Sequence, residues 1–246
     1  MSIEIILEKI IFRPVLLSQN YKFRFDKPFE EFFIKPKNEA SLNFIKFRVE
    51  NSRGAIIYFH GNKDNIARWG KIASEFTKYN YDVYVIDYRG YGKSRGKNSE
   101  RSLYDDALYF YNYIIKTFNP KEIIIFGRSL GTGIASWLAP RVNPKLLILE
   151  TPFYSMYNLV GTFLPEFFYK NKLKYHFNSY LNLKNTEFKI MIIHGTKDET
   201  VPYNSGLVLF EKINNINKTF CSIEGGRHNN LSSFELYWKC MNKMLG

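Results

Sequence analysis

The chain has 246 residues, 45% hydrophobic and 24% charged, which suits one folded domain with a full core and excludes a disordered polypeptide. Its net charge of +12 points to anionic partners. The lysines are scattered, however, with no basic run and no nucleic-acid motif, so nucleic-acid binding is set aside and weak attraction to a membrane surface stays open.

The opening segment is apolar but carries Glu4, Glu8 and Lys9, too short and too charged for a membrane span or a signal peptide. Its spacing fits a short amphipathic helix or an edge strand. Runs near 29–34 and 43–49 read as strands, and Asn38-Glu39 between them suits a turn, so an antiparallel hairpin at a sheet edge is expected. Ala55–Phe59 reads as a buried strand. Residues 65–79 read as a helix with Ile66, Trp69, Ile72, Ala73 and Phe76 on one face, and 83–86 as the next strand. A helix over 101–118 has Ser99 as its N-cap and Pro120 beyond its end. Strand 123–126 feeds a glycine-flanked turn, and the helix over 130–139 is expected to stop at Pro140. Strand 146–149 follows.

From 151 to about 188 the alternation breaks, over a stretch too long for an ordinary connection. It reads as a small helical cap inserted between two strands. Strand 190–193, a helix near 203–214, strand 219–223 and a helix near 232–245 complete the chain. The pattern is α/β: a mostly parallel sheet with helices on both faces, in one domain over residues 1–246. Cys221 and Cys240 read as free thiols in a reducing compartment, which places the protein in the cytoplasm. No Cys/His cluster has metal-ligand spacing, so neither metal nor cofactor is expected.

The chemistry centres on Gly127-Arg128-Ser129-Leu130-Gly131, where a β-branched strand turns sharply into a helix. That context presents a serine as a nucleophile on a strained turn, and Gly127 and Gly131 remove the side chains that would collide there. A serine hydroxyl needs a base, and the base needs a carboxylate to set its tautomer. Such groups are sought just past the carboxyl ends of parallel strands. Asp198 follows strand 190–193, and His228 follows the last strand after Gly225-Gly226. The chain order Ser129, Asp198, His228 is one that this chemistry uses on α/β sheets. Glu150, at an earlier strand end, is the alternative acid, and Glu199 is expected to point elsewhere. His60 and His194 read as packing or loop-bracing residues, and His176 as an exposed cap residue. The backbone N–H groups of Leu130 and Asn62 are the candidate oxyanion donors, with Gly61 allowing close approach.

Taken together, Tyr58-Phe59-His60-Gly61-Asn62, Asp87-Tyr88-Arg89-Gly90-Tyr91-Gly92-Lys93-Ser94, the stretch from Gly127 to Gly133, His194-Gly195-Thr196-Lys197-Asp198 with Val201-Pro202, and Gly225-Gly226-Arg227-His228-Asn229 resemble the α/β-hydrolase superfamily. The likeness is to its ABHD-type serine hydrolases and covers roughly residues 10–246. It implies the α/β-hydrolase fold with about eight strands and a cap near 151–188. It also implies Ser129 as nucleophile, Asp198 as acid, His228 as base, and Asn62 and Leu130 as oxyanion donors. The expected reaction is cleavage of carboxylic esters or thioesters through an acyl-enzyme, on a small-molecule or lipid-like acyl substrate. Residues 89–92 resemble a structural turn beside the site. The cap aromatics Phe153, Tyr154, Tyr157, Phe163, Phe167 and Phe168 either line an acyl pocket or pack on one another. Many relatives carry an apolar anchor before the segment matching Ile11-Phe12-Arg13-Pro14, where this chain has about ten partly charged residues. It also lacks there the cysteine-rich lipidated segment of the eukaryotic depalmitoylating members. A peptidase of the prolyl-oligopeptidase type and a non-catalytic binding module are the alternatives. Oligomeric state is not legible in the sequence.

Overall fold

A computed structural model describes residues 2–36 and 40–246; the expected turn at Asn38-Glu39 lies outside the described residues. Eight strands form the central sheet: β1 Phe29–Ile34, β2 Leu42–Phe47, β3 Ala55–Phe59, β4 Asp82–Ile86, β5 Ile123–Arg128, β6 Leu146–Glu150, β7 Lys189–Gly195 and β8 Lys218–Ile223. Their spatial order is β8-β7-β6-β5-β3-β4-β2-β1. Only β2 runs against the rest, pairing antiparallel with β1 and β4, so the expected hairpin closes one edge. The order reverses around β5, with β6 on one side and β3 with β4 on the other. That switch opens a crevice at the carboxyl ends of the strands.

Every residue of β3, β4, β5 and β6 is buried, because helices cover both faces. Side chains alternate between two cores with period two. Ile57, Phe59, Ile125, Leu147 and Leu149 face one core, and Ile56, Tyr58, Ile124, Phe126 and Ile148 face the other. Helices α3 (Glu100–Ile114), α4 (Leu130–Val142) and α8 (Tyr203–Lys212) pack on the first face. The second is covered by α2 (Ile66–Ala73), the 3-10 turns of Ser74–Tyr79, and α9 (Glu235–Leu245).

Several boundaries move. The expected helix over 65–79 tightens to 3-10 geometry from Ser74 onward. Helix α3 has the Ser99 cap, whose side chain accepts from Ser102 N–H at 3.0 Å, but it ends at Ile114 rather than 118. Helix α4 runs through Pro140 to Val142, where Asn143 closes it in the left-handed conformation at φ 49°. Proline so near the end removes one hydrogen bond, and Asn143 N–H still donates to Ala139 O at 2.9 Å. The opening segment is a helix, α1 (Ile3–Ile11). Residues 151–188 carry three short helices, α5 (Met156–Gly161), α6 (Glu166–Tyr169) and α7 (Ser179–Leu183), between β6 and β7.

The two cysteines are not free thiols. Helix α9 lies along β8 and brings Cys240 to Cys221 as a disulfide with Cα atoms 6.5 Å apart. Among the described residues no helix is long and apolar enough to cross a membrane.

Candidate active site

Ser129 joins β5 to α4 with φ 50° and ψ −116°, a backbone that costs a non-glycine residue about 1–3 kcal/mol. The turn is that tight because its flanks are bare. A Cβ on Gly127 would sit 2.6 Å from Gly131 O, and one on Gly131 would strike the Phe59 carbonyl of the neighbouring strand. Ser129 N–H donates to Glu150 O at 2.9 Å, which ties the turn to β6.

Asp198 stands just past β7, and His228 lies in the segment after β8. His228 Nδ1 is 2.8 Å from Asp198 Oδ2, and His228 Nε2 is 3.0 Å from Ser129 Oγ. An ionised carboxylate can only accept, so Nδ1 carries the proton and Nε2 turns its lone pair to the Ser129 hydroxyl. Burial opposes ionisation of Asp198. Hydrogen bonds from His194, His228 and Val201 N–H overcome it and hold the carboxyl well below the usual carboxylate range. Thr200 and Val201 N–H both donate to its Oδ1 at 2.9 Å.

His194, expected to pack or to brace a loop, lies inside β7 and is fully buried. Its Nε2 is 2.9 Å from Val201 O, an obligate acceptor, and 3.3 Å from Asp198 Oδ2. It therefore donates toward the segment that holds Asp198. Glu150, the alternative acid, is engaged elsewhere: Arg128 Nε lies 3.2 Å from its Oε1 and Tyr237 Oη donates to its Oε2 at 2.9 Å. His176 keeps its expected exposed place in the insertion.

The loop after β3 is braced carbonyl by carbonyl. Tyr88 Oη donates to His60 O at 2.7 Å, and His60 Nδ1–H donates to Gly61 O at 2.7 Å. Asn62 O accepts from Tyr91 Oη at 2.8 Å and from Arg13 N–H at 2.9 Å. Fixing Gly61 O fixes the peptide plane whose other end is the Asn62 N–H. Asn62, Ser129 and Leu130 border one cavity, and among the described residues no protein acceptor takes either N–H. Buried Asp87 backs the loop with Oδ1 3.2 Å from His60 Nε2, and burial raises its carboxyl against the pull of His60. Segment 89–92 is thus a turn, as expected, but the hydroxyls of its Tyr91 and of Tyr88 just before it brace the loop after β3.

The cavity has a volume of about 360 Å³. Phe153, Met156, Val160 and Phe163 of the insertion form one wall, and Leu7 and Ile11 of α1 form another. Of the cap aromatics, only Phe153 and Phe163 line it. Tyr154 stacks on Tyr180 at 4.2 Å, Tyr157 packs edge-on against Tyr169, and Phe167 and Phe168 pair with each other. Glu199, expected to point elsewhere, borders the cavity at its edge. The wall from α1 was missed; the only signal was the apolar spacing of residues 3–11.

A family model described as serine aminopeptidase, S33 matches residues 50–186, which include Asn62, Ser129 and Leu130 but neither Asp198 nor His228. Uncharacterized protein R595 of Acanthamoeba polyphaga mimivirus is 33% identical over 225 residues, covering 80% of this chain and 74% of that protein. Lysophosphatidylserine lipase ABHD12 of Danio rerio is 32% identical over 185 residues, 66% of this chain and 48% of that protein, so the match spans about half of that relative. Among solved structures, the esterase Pf2001 of Pyrococcus furiosus superposes with a TM-score of 0.71 at 18% identity, covering 95% of this chain and 100% of that one.

Proposed function

The chain belongs to the α/β-hydrolase superfamily, within the serine aminopeptidase S33 family and of the ABHD type, and from that premise we propose that it is a serine hydrolase cleaving carboxylic esters or thioesters. The observation that carries this reading is the hydrogen-bonded series Asp198, His228, Ser129 opening onto an apolar cavity. Ser129 Oγ attacks the acyl carbonyl carbon while its proton passes to His228 Nε2. The oxyanion accepts from the N–H groups of Asn62 and Leu130, and the positive end of α4 adds to its stabilisation. The imidazolium, held by Asp198, then protonates the leaving alkoxide or thiolate. Water attacks the acyl-enzyme and gives a proton to His228, and the imidazolium returns that proton to Ser129 Oγ as its bond to the acyl carbon breaks and the acid leaves. No cofactor or metal enters this sequence.

The apolar walls favour an acyl chain, and the lipase activity named for the ABHD12 relative agrees with a lipid-like ester. The unit is the whole of residues 1–246, with 151–188 as a cap over the site. The cytoplasmic location loses the support of free thiols, since Cys221 and Cys240 are paired. A peptidase reading has one observation in its favour: Glu199 at the cavity edge offers a carboxylate to a free amine. The test is a fluorophosphonate probe with p-nitrophenyl esters and amino-acid arylamides. Wild-type protein is expected to label and to turn over esters faster than arylamides, and Ser129→Ala to do neither. Equal labelling of both proteins would end the proposal, and faster arylamide turnover would favour the peptidase.

A further inference from the structure

Helix α1 is apolar on more sides than the fold uses. Leu7 and Ile11 turn inward to the core and the cavity, yet Ile5, Ile6 and Ile10 remain 45%, 39% and 46% exposed. At 100° per residue, positions 5, 6, 9 and 10 fall on one outward arc, so three isoleucines surround Lys9. The carboxylates of α1 lie on another side. Glu4 pairs with Lys174 at 2.7 Å, and Glu8 accepts from Tyr175 Oη at 3.4 Å. Helix α6 packs beside α1 and adds Phe167 and Phe168, with Phe163 shortly before it; these are 72%, 43% and 58% exposed.

A lone exposed apolar residue is ordinary, but six on adjacent elements call for a covering surface. Two of the six, Ile10 and Phe163, also line the cavity, so the patch is continuous with its mouth. Exposed Lys9 stands among the isoleucines, and exposed Arg13 and Lys172 follow α1 and α6 closely in the chain, whose net charge is +12. A second copy would bring like charge against like charge. An anionic lipid surface meets both the isoleucine-lysine arc and the positive charge.

We propose that the outward arc of α1 and the phenylalanines at 163–168 dock on an anionic bilayer and set the cavity mouth against the lipid. Docking stands independently of hydrolysis. Only its consequence, that acyl substrates enter from the bilayer without crossing water, rests on the function proposed above.

The test is flotation of the full chain with vesicles of phosphatidylcholine alone or mixed with phosphatidylserine, at low and high salt. Wild-type protein should float with the mixed vesicles at low salt and be partly released by high salt. Ile6→Asp combined with Phe167→Asp should cut the bound fraction about tenfold. Neither residue lines the cavity, and circular dichroism checks that the variant folds. Lys9→Glu, a gentler surface change, should weaken binding to mixed vesicles only. Wild-type protein that stays unbound, or a double variant that floats equally well, overturns the proposal. So does a wild-type dimer that the double variant dissolves, because a second copy would then cover the face. Flotation needs no turnover and probe labelling needs no lipid, so failure here is distinct from failure of the hydrolase reading.

Discussion

Ser129, His60, Tyr88 and Tyr91 show how single side chains hold an otherwise costly arrangement. The backbone at Ser129 has positive φ, and neighbours that could not be larger keep it there. Opposite it, three successive carbonyls, of His60, Gly61 and Asn62, each have a named donor. The peptide plane that carries the Asn62 N–H is thus held in place from its carbonyl side, and the proposed oxyanion role would use it as a preorganised donor. Replacing both Tyr88 and Tyr91 by Phe removes two hydroxyls without changing shape. At about 1 kcal/mol net for each hydrogen bond, kcat should fall about tenfold or more. KM for a short ester should stay within about twofold, because in the proposed mechanism the braces act on a donor used mainly in the transition state. Steady-state kinetics check this, and an unchanged kcat would show that the loop holds its shape unaided. Glu150 illustrates why sequence position alone left the acid open. It ends β6 near Ser129, and only the structure shows Arg128 and Tyr237 occupying it.

At the scale of elements, β3 to β6 were legible because strands buried on both faces must be continuous apolar runs. Their ends were less so. Strand β7 extends through His194 and Gly195, and α4 continues past Pro140, because neighbouring backbones and not local preference decide where pairing stops. The Cys221–Cys240 pair was illegible for a related reason. Their separation of 19 residues says nothing about whether α9 lies along β8 with the side chains facing. Closing a segment of that length limits the unfolded chain and, in the chain-entropy picture, contributes about 3 kcal/mol. The double variant Cys221→Ser, Cys240→Ser should therefore unfold at clearly lower urea, with little change in the slope of the transition. An unchanged midpoint would count against the pairing.

Across the whole molecule, the cavity is assembled from pieces far apart in the chain: α1, the loop after β3, the Ser129 turn, the insertion, and the loop after β7. The positions of Ser129, Asp198 and His228 could be read because each carries its own local signature. The pocket wall could not, since an apolar helix face does not state what it packs against. Leu7 tests that wall. It is buried and borders the cavity, and Leu7→Trp should fill part of the space. The longest ester accepted should shorten, with KM for long chains rising about tenfold while short-chain turnover is retained. A panel of p-nitrophenyl esters of increasing acyl length reads this directly. The disulfide has a different reach. His228 lies between its two cysteines in sequence, so the last strand, the imidazole and the last helix form a covalent ring. A protease nick anywhere from 222 to 239 would leave both fragments tethered, and the imidazole would stay attached to the sheet that aims it.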